Sequence, residues 1–341
     1  MKDLKNDFKI NRFKPVYLLY GEENYMIRHY ANLFTERLLS DAMMNRDVFE
    51  GKEFEISALI DAAETLPFLS ERRLVYVKDS GLLTAGRKES TEALAKYLPS
   101  IPESTTMIFV ETTTADRPSV DKRNRLYKQI ASQGRVVECQ TPGEAELVRW
   151  LINIFKKKKK DIHPQTARLL LAIVPKGMDS VYGEADKLGD FVGERTTIEP
   201  EDIKAICTKS LEARIFDLVD ALCGGETKKA LIQYHSMLNA KEQPLMVLVM
   251  MARQFRMVLK CKACAEKRMG PSQIAQALGL QNFIANKCLK QAQNFTANRL
   301  IEALYDCQDT DIRIKTGLIE GELGVEMLII RYSMKEAAYE A

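Results

Sequence analysis

Five short apolar runs alternate with helix-like patterns over the first 140 residues, and this alternation limits the fold more than any other feature of the chain. The runs, which are typical of β-strands, cover residues 16–20, 47–49, 74–77, 107–110 and 135–139. Apolar residues at helical spacing lie between them, at 25–39, 56–66, 91–98 and 120–132. Parallel strands need crossover connections, which are usually helices. The first 140 residues are therefore predicted to form a doubly wound parallel sheet with helices on both faces.

The alternation stops at Thr141, Pro142 and Gly143, a turn-forming segment, and it does not resume. Four helices are predicted next, at 145–155, 164–173, 180–191 and 200–207. A longer helical block follows, at 215–222, 227–238, 245–267, 272–278, 283–295, 297–315 and 322–335. The fold class is thus α/β plus all-α, with three domains: an α/β domain over 1–140, a small helical domain over 141–209 and a helical domain over 210–341.

Charge and cysteine usage restrict the classes of function. The net charge is only +3, so any contact with nucleic acid has to come from a local patch. No run reaches the roughly 18 apolar residues of a membrane span, and the N-terminus lacks the apolar core of a signal peptide. The seven cysteines are scattered without a disulfide framework. We expect a cytoplasmic protein with reduced thiols and no membrane partner.

The loop after the first strand argues against nucleotide hydrolysis. In a doubly wound sheet this loop binds phosphate through the motif G-x-x-x-x-G-K-[ST]. Here residues 21–28 read GEENYMIR, with one glycine, no motif lysine, and two carboxylates, Glu22 and Glu23, that would repel phosphate. Glu111 follows the fourth strand as a metal ligand would, but a lone acid at a strand end is usually a solvated loop residue.

No other motif indicates catalysis. Cys261 and Cys264 have the spacing of half a zinc site, but no second pair follows them. They are interpreted as ordinary thiols one helical turn apart. The nucleophile motif G-x-S-x-G is absent. We predict no intrinsic active site, no metal and no cofactor.

Apolar residues occupy the corner between the predicted helix 56–66 and the predicted strand 74–77. They are Leu66, Pro67, Phe68 and Leu69. Pro67 interrupts the helical pattern because it has no backbone N–H, and such a corner normally lies at the surface. One interpretation is that Phe68 and Leu69 insert into a partner's groove, where each would gain roughly 1.5–3 kcal/mol on burial. The other is that both fold back beneath the domain, as most large apolar residues do.

Two basic segments allow a solvated and a nucleic-acid-binding interpretation. The first is a lysine run at the end of the helix predicted over 145–155, made up of Lys156, Lys157, Lys158, Lys159 and Lys160. Cations at this end complement the helix dipole, and they would also suit a phosphate backbone. The second lies on the predicted helix 245–267 and contains Arg253, Arg256, Lys260 and Lys262. Most such stripes are simply solvated helix faces.

Several segments, in their order and spacing, resemble the delta subunit family of bacterial DNA polymerase III. The first domain contains 15–23 (PVYLLYGEE) and 66–75 (LPFLSERRLV), and the middle domain contains 182–188 (YGEADKL). The last domain contains 215–222 (IFDLVDAL), 252–256 (ARQFR) and 311–317 (DIRIKTG). No single segment is diagnostic, but together they cover nearly the whole chain.

This resemblance implies an AAA+-like first domain that has lost nucleotide binding, a small helical lid, and a helical collar. The collar would assemble with other clamp-loader subunits, of the gamma/tau and delta prime types. The family inserts apolar residues from the corner into the sliding clamp, the beta subunit, and opens it for loading onto primed DNA. That wedge corresponds to Phe68 with Leu66, Pro67 and Leu69, and it is open whether Leu66 or Leu69 is the main partner of Phe68.

Two other classes of function are compatible with the sequence. An active AAA+ ATPase would bind nucleotide as an isolated chain, which the loop at Gly21 argues against. A DNA-binding AAA+-like adaptor without a clamp partner would use the lysine run. That second class predicts a DNA affinity that falls steeply with salt.

Overall fold

The computed structural model describes residues 2–39, 43–84, 87–112, 120–280 and 282–334. The chain divides into two compact units, the first made of Met1–Arg168 and Lys176–Ile198, the second of Leu169–Pro175 and Glu199–Ala341. The division into three domains at residues 140 and 209 remains a prediction. Within the described residues, no helix is both long and apolar enough to cross a membrane.

The first unit contains the predicted parallel sheet. Its strands are β1 (Val16–Gly21), β2 (Arg46–Glu50), β3 (Arg73–Lys78), β4 (Thr105–Thr112) and β5 (Arg135–Glu138). They lie side by side in the order β2-β3-β4-β1-β5, and every neighbouring pair is parallel. All six residues of β1 are buried, as expected for a central strand covered on both faces.

Helices supply the two faces that cover the sheet. They are α1 (Lys2–Ile10), α2 (Asn24–Leu38), α3 (Ile56–Glu64), α4 (Lys88–Tyr97) and α5 (Arg125–Gln133). Side chains of β1 alternate between two apolar cores, because successive residues of a strand point to opposite faces. Val16 and Leu18 belong to one core, and Tyr17 and Leu19 belong to the other.

Several predicted helix boundaries were wrong, and two of them, in the first unit, have a clear physical reason. The helix predicted over 56–66 ends at Glu64, so Leu66 is not part of its buried face. Pro67 explains this early end, since the residue before a proline is driven out of the helical region. The helix predicted over 120–132 begins only at Arg125, because the Asn124 side chain caps it by accepting a hydrogen bond from the Leu126 N–H at 2.8 Å.

The chain after residue 143 is not entirely helical, contrary to the prediction. The helices here are α6 (Glu144–Lys157), α7 (Pro164–Ile173) and α8 (Met178–Phe191). A short strand, β6 (Asp161–Ile162), lies between α6 and α7, and it pairs in parallel with β7 (Thr197–Ile198), which follows α8. Ile162 and Ile198 are both buried, which accounts for the pairing of these two short segments. Two-residue strands of this kind carry no periodicity that a sequence pattern could reveal.

The second unit is helical and has its own core. It contains α9 (Pro200–Ile206), α10 (Leu211–Cys223), α11 (Thr227–Asn239), α12 (Pro244–Glu266), α13 (Pro271–Leu278), α14 (Asn282–Gln293), α15 (Ala297–Lys315) and α16 (Gly321–Ser333). Gly317 follows α15 with a φ of 74°, a left-handed conformation that glycine tolerates without strain. The last helix was predicted to reach Lys335, which lies outside the described residues.

Candidate functional site

The corner after α3 exposes large apolar side chains at the surface of the first unit. Leu66 is 77% exposed, Phe68 57% and Leu69 91%, whereas Pro67 is half-buried. The interpretation that Phe68 and Leu69 fold back beneath the domain is therefore wrong. We call residues Leu66, Pro67, Phe68 and Leu69 the tip.

Asn45, which lies 23 positions earlier in the sequence, holds the main chain of the tip. The Asn45 side chain is fully buried, and its Nδ2 donates to the Phe68 carbonyl at 2.8 Å. In return, the Phe68 N–H donates to Asn45 Oδ1 at 2.6 Å. The side-chain amide of Asn45 thus pairs with both the N–H and the carbonyl of Phe68. The Phe68 side chain therefore extends outward from a fixed backbone.

Asn45 could not be identified from the sequence. It ends a short 3-10 turn (Met43–Asn45) just before β2, and nothing in its local sequence indicates a partner so far along the chain. Its neighbour Met44 is 72% exposed, which adds a flexible apolar side chain beside the residue that holds the tip. A buried asparagine next to an exposed methionine is visible only once the fold is known.

The base of the tip is anchored by hydrogen bonds to the last turn of α3. Arg73, buried at the start of β3, donates from Nε to the Ala62 carbonyl at 2.7 Å and from Nη2 to Asp47 Oδ2 at 2.5 Å. Thr105, fully buried on β4, donates from Oγ1 to the Ala63 carbonyl at 2.8 Å. These bonds satisfy carbonyl groups that the end of the helix leaves unpaired. The tip therefore stands on a rigid base.

Leu69 adopts a left-handed backbone conformation, with a φ of 52°. This conformation costs a residue with a Cβ roughly 1–2 kcal/mol, so other contacts must hold it. Next to it, the Ser70 hydroxyl accepts a hydrogen bond from the Arg72 N–H at 3.4 Å and closes a short turn. A strained leucine that stays 91% exposed is unusual for a residue whose role is only structural.

A second candidate site is the carboxyl edge of the sheet, where doubly wound proteins bind nucleotides. After β1 the chain turns at Gly21, whose φ is 135°, and a Cβ there would lie 2.3 Å from the Cys139 carbonyl oxygen. The following Glu23 N–H donates to that same carbonyl at 3.0 Å. The loop is thus closed against the end of β5, and this amide is already used.

The Glu23 side chain is buried at this edge, which the sequence did not predict. Its Oε1 accepts a hydrogen bond from the Met178 N–H at 3.3 Å, at the start of α8, and its Oε2 accepts one from Thr141 Oγ1 at 3.4 Å. Burial raises the pKa of this carboxyl, and the hydrogen bond from Met178 opposes that rise. A carboxylate therefore lies where a phosphate-binding loop would need positive charge.

Other acids at this edge are also engaged internally. Asp79 Oδ1 accepts from the Thr112 N–H at 2.9 Å and from its hydroxyl at 2.7 Å. Glu111 was interpreted as a solvated loop residue, but it is buried, and its Oε1 accepts from the Ser80 hydroxyl at 2.8 Å. Across the described residues, no group of three or more histidine, cysteine or acidic side chains is placed to hold a metal.

Two lysines of the run form bonds within the protein, and the other three are exposed. Lys158 pairs with Asp186, and Lys160 donates to the carbonyls of Gly193 and Arg195. Lys156, Lys157 and Lys159 are exposed. Two of the five lysines therefore stabilise the first unit, which reduces what the run offers to a phosphate backbone.

The fold defines the class of this chain. A five-stranded parallel sheet in the order β2-β3-β4-β1-β5, followed by a helical unit, is AAA+-like, and the loop after β1 lacks the phosphate-binding motif. Residues 17–140 match the family model described as DNA polymerase III, delta subunit, and residues 212–332 match the one described as its C-terminal domain. The chain belongs to the DNA polymerase III delta subunit family.

Individual relatives agree with this assignment. The chain is 27% identical to the DNA polymerase III subunit delta of Bacillus subtilis, over 96% of both proteins. It is 23% identical to the probable DNA polymerase III subunit delta of Aquifex aeolicus, over 78% of this chain and 76% of that protein. A solved structure of the Bacillus subtilis DNA clamp loader delta protein, YqeN, is similar with a TM-score of 0.58 at 27% identity, covering 98% of this chain and 99% of that one.

Proposed function

We propose that this chain is a clamp-loader subunit that binds the sliding clamp through the tip and opens it for loading onto primed DNA. The observation that carries the proposal is the exposure of Leu66, Phe68 and Leu69 on a backbone that the buried Asn45 holds in place. A rigid apolar anchor loses little conformational entropy on binding, which favours affinity. The description of the Bacillus subtilis relative as a clamp loader delta protein supports the same role.

The expected strength of the contact follows from the exposed side chains. Two or three apolar anchors that become buried give roughly 4–8 kcal/mol of gross binding free energy. Opening the clamp then requires only that the tip binds the opened interface better than the closed one, because a ligand shifts an equilibrium by its differential affinity.

We also propose that the chain does not hydrolyse ATP itself and takes no cofactor. The closed loop at Gly21, the buried Glu23 carboxyl and the missing motif lysine support this, since phosphate binding needs free amides and positive charge. Neighbouring subunits of the gamma/tau and delta prime types would supply the ATP-dependent step and contact the helical collar. This chain, with its tip, would then be one subunit of a larger assembly.

Calorimetry tests the role of the tip. The full chain is titrated with the sliding clamp of its own organism, alongside Phe68→Ala and a Leu66→Ala/Leu69→Ala double variant. Phe191→Ala is the matched control, because Phe191 is 49% exposed in the same unit and lies outside the tip. All variants are first checked for native circular dichroism.

Tight wild-type binding that both tip variants weaken by at least tenfold, and that the control keeps, would support the proposal. Comparing the two tip variants with single Leu66→Ala and Leu69→Ala changes would decide which leucine is the main partner of Phe68. Equal binding by all variants would move the clamp contact elsewhere on the chain. A complete absence of clamp binding by the wild type would favour the adaptor function instead.

A further inference from the structure

The helix α12 has an exposed face on which four cations are aligned. Arg253, Arg256, Lys260 and Lys267, the residue after the last turn, are all exposed. At 100° per residue these positions fall within an arc of about 60°, and at 1.5 Å per residue they span about 21 Å. We call these four residues the α12 stripe.

The stripe carries no acidic residue. The one acid of α12, Glu266, is about 100° around the helix from its neighbour Lys267. Within the described part of the chain, no ion pair involves any of the four cations. Lys262, which the sequence grouped with them, is on another face and donates from Nζ to the Ala292 carbonyl at 3.0 Å. The observed stripe therefore differs from the predicted one by this residue.

The opposite face of α12 fixes the direction of the stripe. Phe255, Val258 and Cys261 are fully buried in the core of the second unit. Gln254, also buried, donates to Gln291 Oε1 of α14 at 2.6 Å. Because the helix is locked by packing and by this hydrogen bond, it cannot rotate to bring another face outward.

We propose that the α12 stripe binds the phosphate backbone of a nucleic acid. Its charges are of one sign, and none of them has an ion-pair partner among the described residues. Its length of about 21 Å matches about six phosphates of one strand at 3.4 Å of axis each. Two of the cations are arginines, whose planar guanidinium groups suit phosphate oxygens. The net charge of +3 leaves such a contact to a local patch, and the lysine run is weakened by its internal bonds. This inference goes beyond the proposed clamp contact and does not depend on it.

Fluorescence anisotropy with a labelled primed single strand of mixed sequence tests the proposal on the full chain. The test variant is Arg253→Glu/Arg256→Glu/Lys260→Glu, and Arg253→Gln/Arg256→Gln/Lys260→Gln serves if the charge reversal disturbs the fold. The control applies the same change of charge at three dispersed exposed lysines, as Lys204→Glu/Lys228→Glu/Lys241→Glu.

The stripe variant is expected to lose at least tenfold in affinity at low salt. The slope of log affinity against log salt should fall in magnitude by about 2 to 3, since each lost phosphate contact removes about 0.7–0.9. The dispersed variant should keep most of the DNA affinity and most of the salt slope. Clamp binding should be unchanged in every variant.

Three results would overturn the inference. The first is no DNA binding by the wild-type chain at low salt. The second is an equal loss in the stripe and dispersed variants, because the affinity would then follow net charge alone. The third is DNA binding that the stripe variant keeps while it fails to assemble with the other clamp-loader subunits in gel filtration. That outcome would identify the partner of the stripe as an acidic protein surface.

Discussion

Replacing Asn45 tests whether the tip works as a fixed anchor. Asn45→Ala removes both hydrogen bonds to Phe68, at 2.8 and 2.6 Å, without changing any tip side chain. Each bond contributes about 0.5–1.5 kcal/mol, so we expect the free energy of unfolding to fall by about 1–3 kcal/mol. The left-handed Leu69, which costs roughly 1–2 kcal/mol, would then relax toward an extended backbone.

The loss of clamp affinity follows from the same release. If Phe68 and Leu69 become mobile, binding has to order them again at about 1–2 kcal/mol per residue. The two residues together cost about 2–4 kcal/mol, and since 1.4 kcal/mol is tenfold in affinity, Asn45→Ala should weaken clamp binding by about 30- to 700-fold. Urea unfolding followed by circular dichroism gives the stability, and calorimetry gives the affinity. Asn45→Asp keeps an acceptor for the Phe68 N–H but places a buried carboxylate oxygen against the Phe68 carbonyl, so it should lower stability at least as much as Asn45→Ala.

The reasoning would be refuted if Asn45→Ala unfolded at the wild-type urea concentration and bound the clamp with wild-type affinity. It would also be refuted if stability fell while affinity did not, because the tip would then bind equally well from a mobile loop. Hydrogen exchange of the Phe68 amide separates these cases. The exchange should become much faster in Asn45→Ala if the loop is released.

Three further changes are predicted in the first unit. Leu69→Gly should raise the free energy of unfolding by up to about 1 kcal/mol, because glycine accepts the left-handed backbone at little cost. The same change should weaken clamp binding, since it removes an exposed apolar side chain. A lower stability in urea would show that the backbone at position 69 is not strained. Burial raises the pKa of Glu23, so the ionised carboxyl is less favourable in the fold than in the unfolded chain, and wild-type stability should gain as the pH falls through that raised pKa toward the ordinary pKa of a glutamate. Glu23→Gln should abolish this gain in urea titrations at neutral and mildly acidic pH, and an unchanged gain would assign it to another group. Lys158→Ala should lower stability by up to about 1 kcal/mol through the loss of its pair with Asp186, whereas the exposed Lys157→Ala should not; equal thermal midpoints would contradict a structural role for Lys158.

The sheet could be predicted from the sequence because its signal is local. Each strand is a short apolar run bounded by turn residues, and each crossover shows helical spacing, so type and order follow without knowing the contacts. The end of α3 was harder to predict. Leu66 continues the apolar spacing of the helix, but Pro67 disfavours the helical backbone conformation at Leu66, and the helix ends at Glu64. Helix boundaries depend on caps such as Asn124, which a periodicity argument does not weigh.

The candidate site was predictable only in part. The apolar types at positions 66 to 69 identified the tip, but its exposure depended on how the loop packs, and two interpretations stayed open until the structure was known. Asn45 and Glu23 act through partners 23 and 155 positions away. Hydrogen bonds between residues so far apart produce no regular spacing in the sequence. Neither residue could therefore have been identified from a sequence pattern.

Asn45 holds the main chain of the tip and leaves its side chains exchangeable. The bonds act on the peptide groups of Phe68 and ignore its ring, so the side chains at positions 66 and 68 can be exchanged without loosening the loop. Only position 69 is restricted, by its left-handed backbone. The backbone of the tip is therefore held independently of the side chains that it exposes. If the tip contacts the clamp as proposed, grafting the side chains of another species at positions 66 and 68 is expected to favour that species' clamp while leaving the stability nearly unchanged.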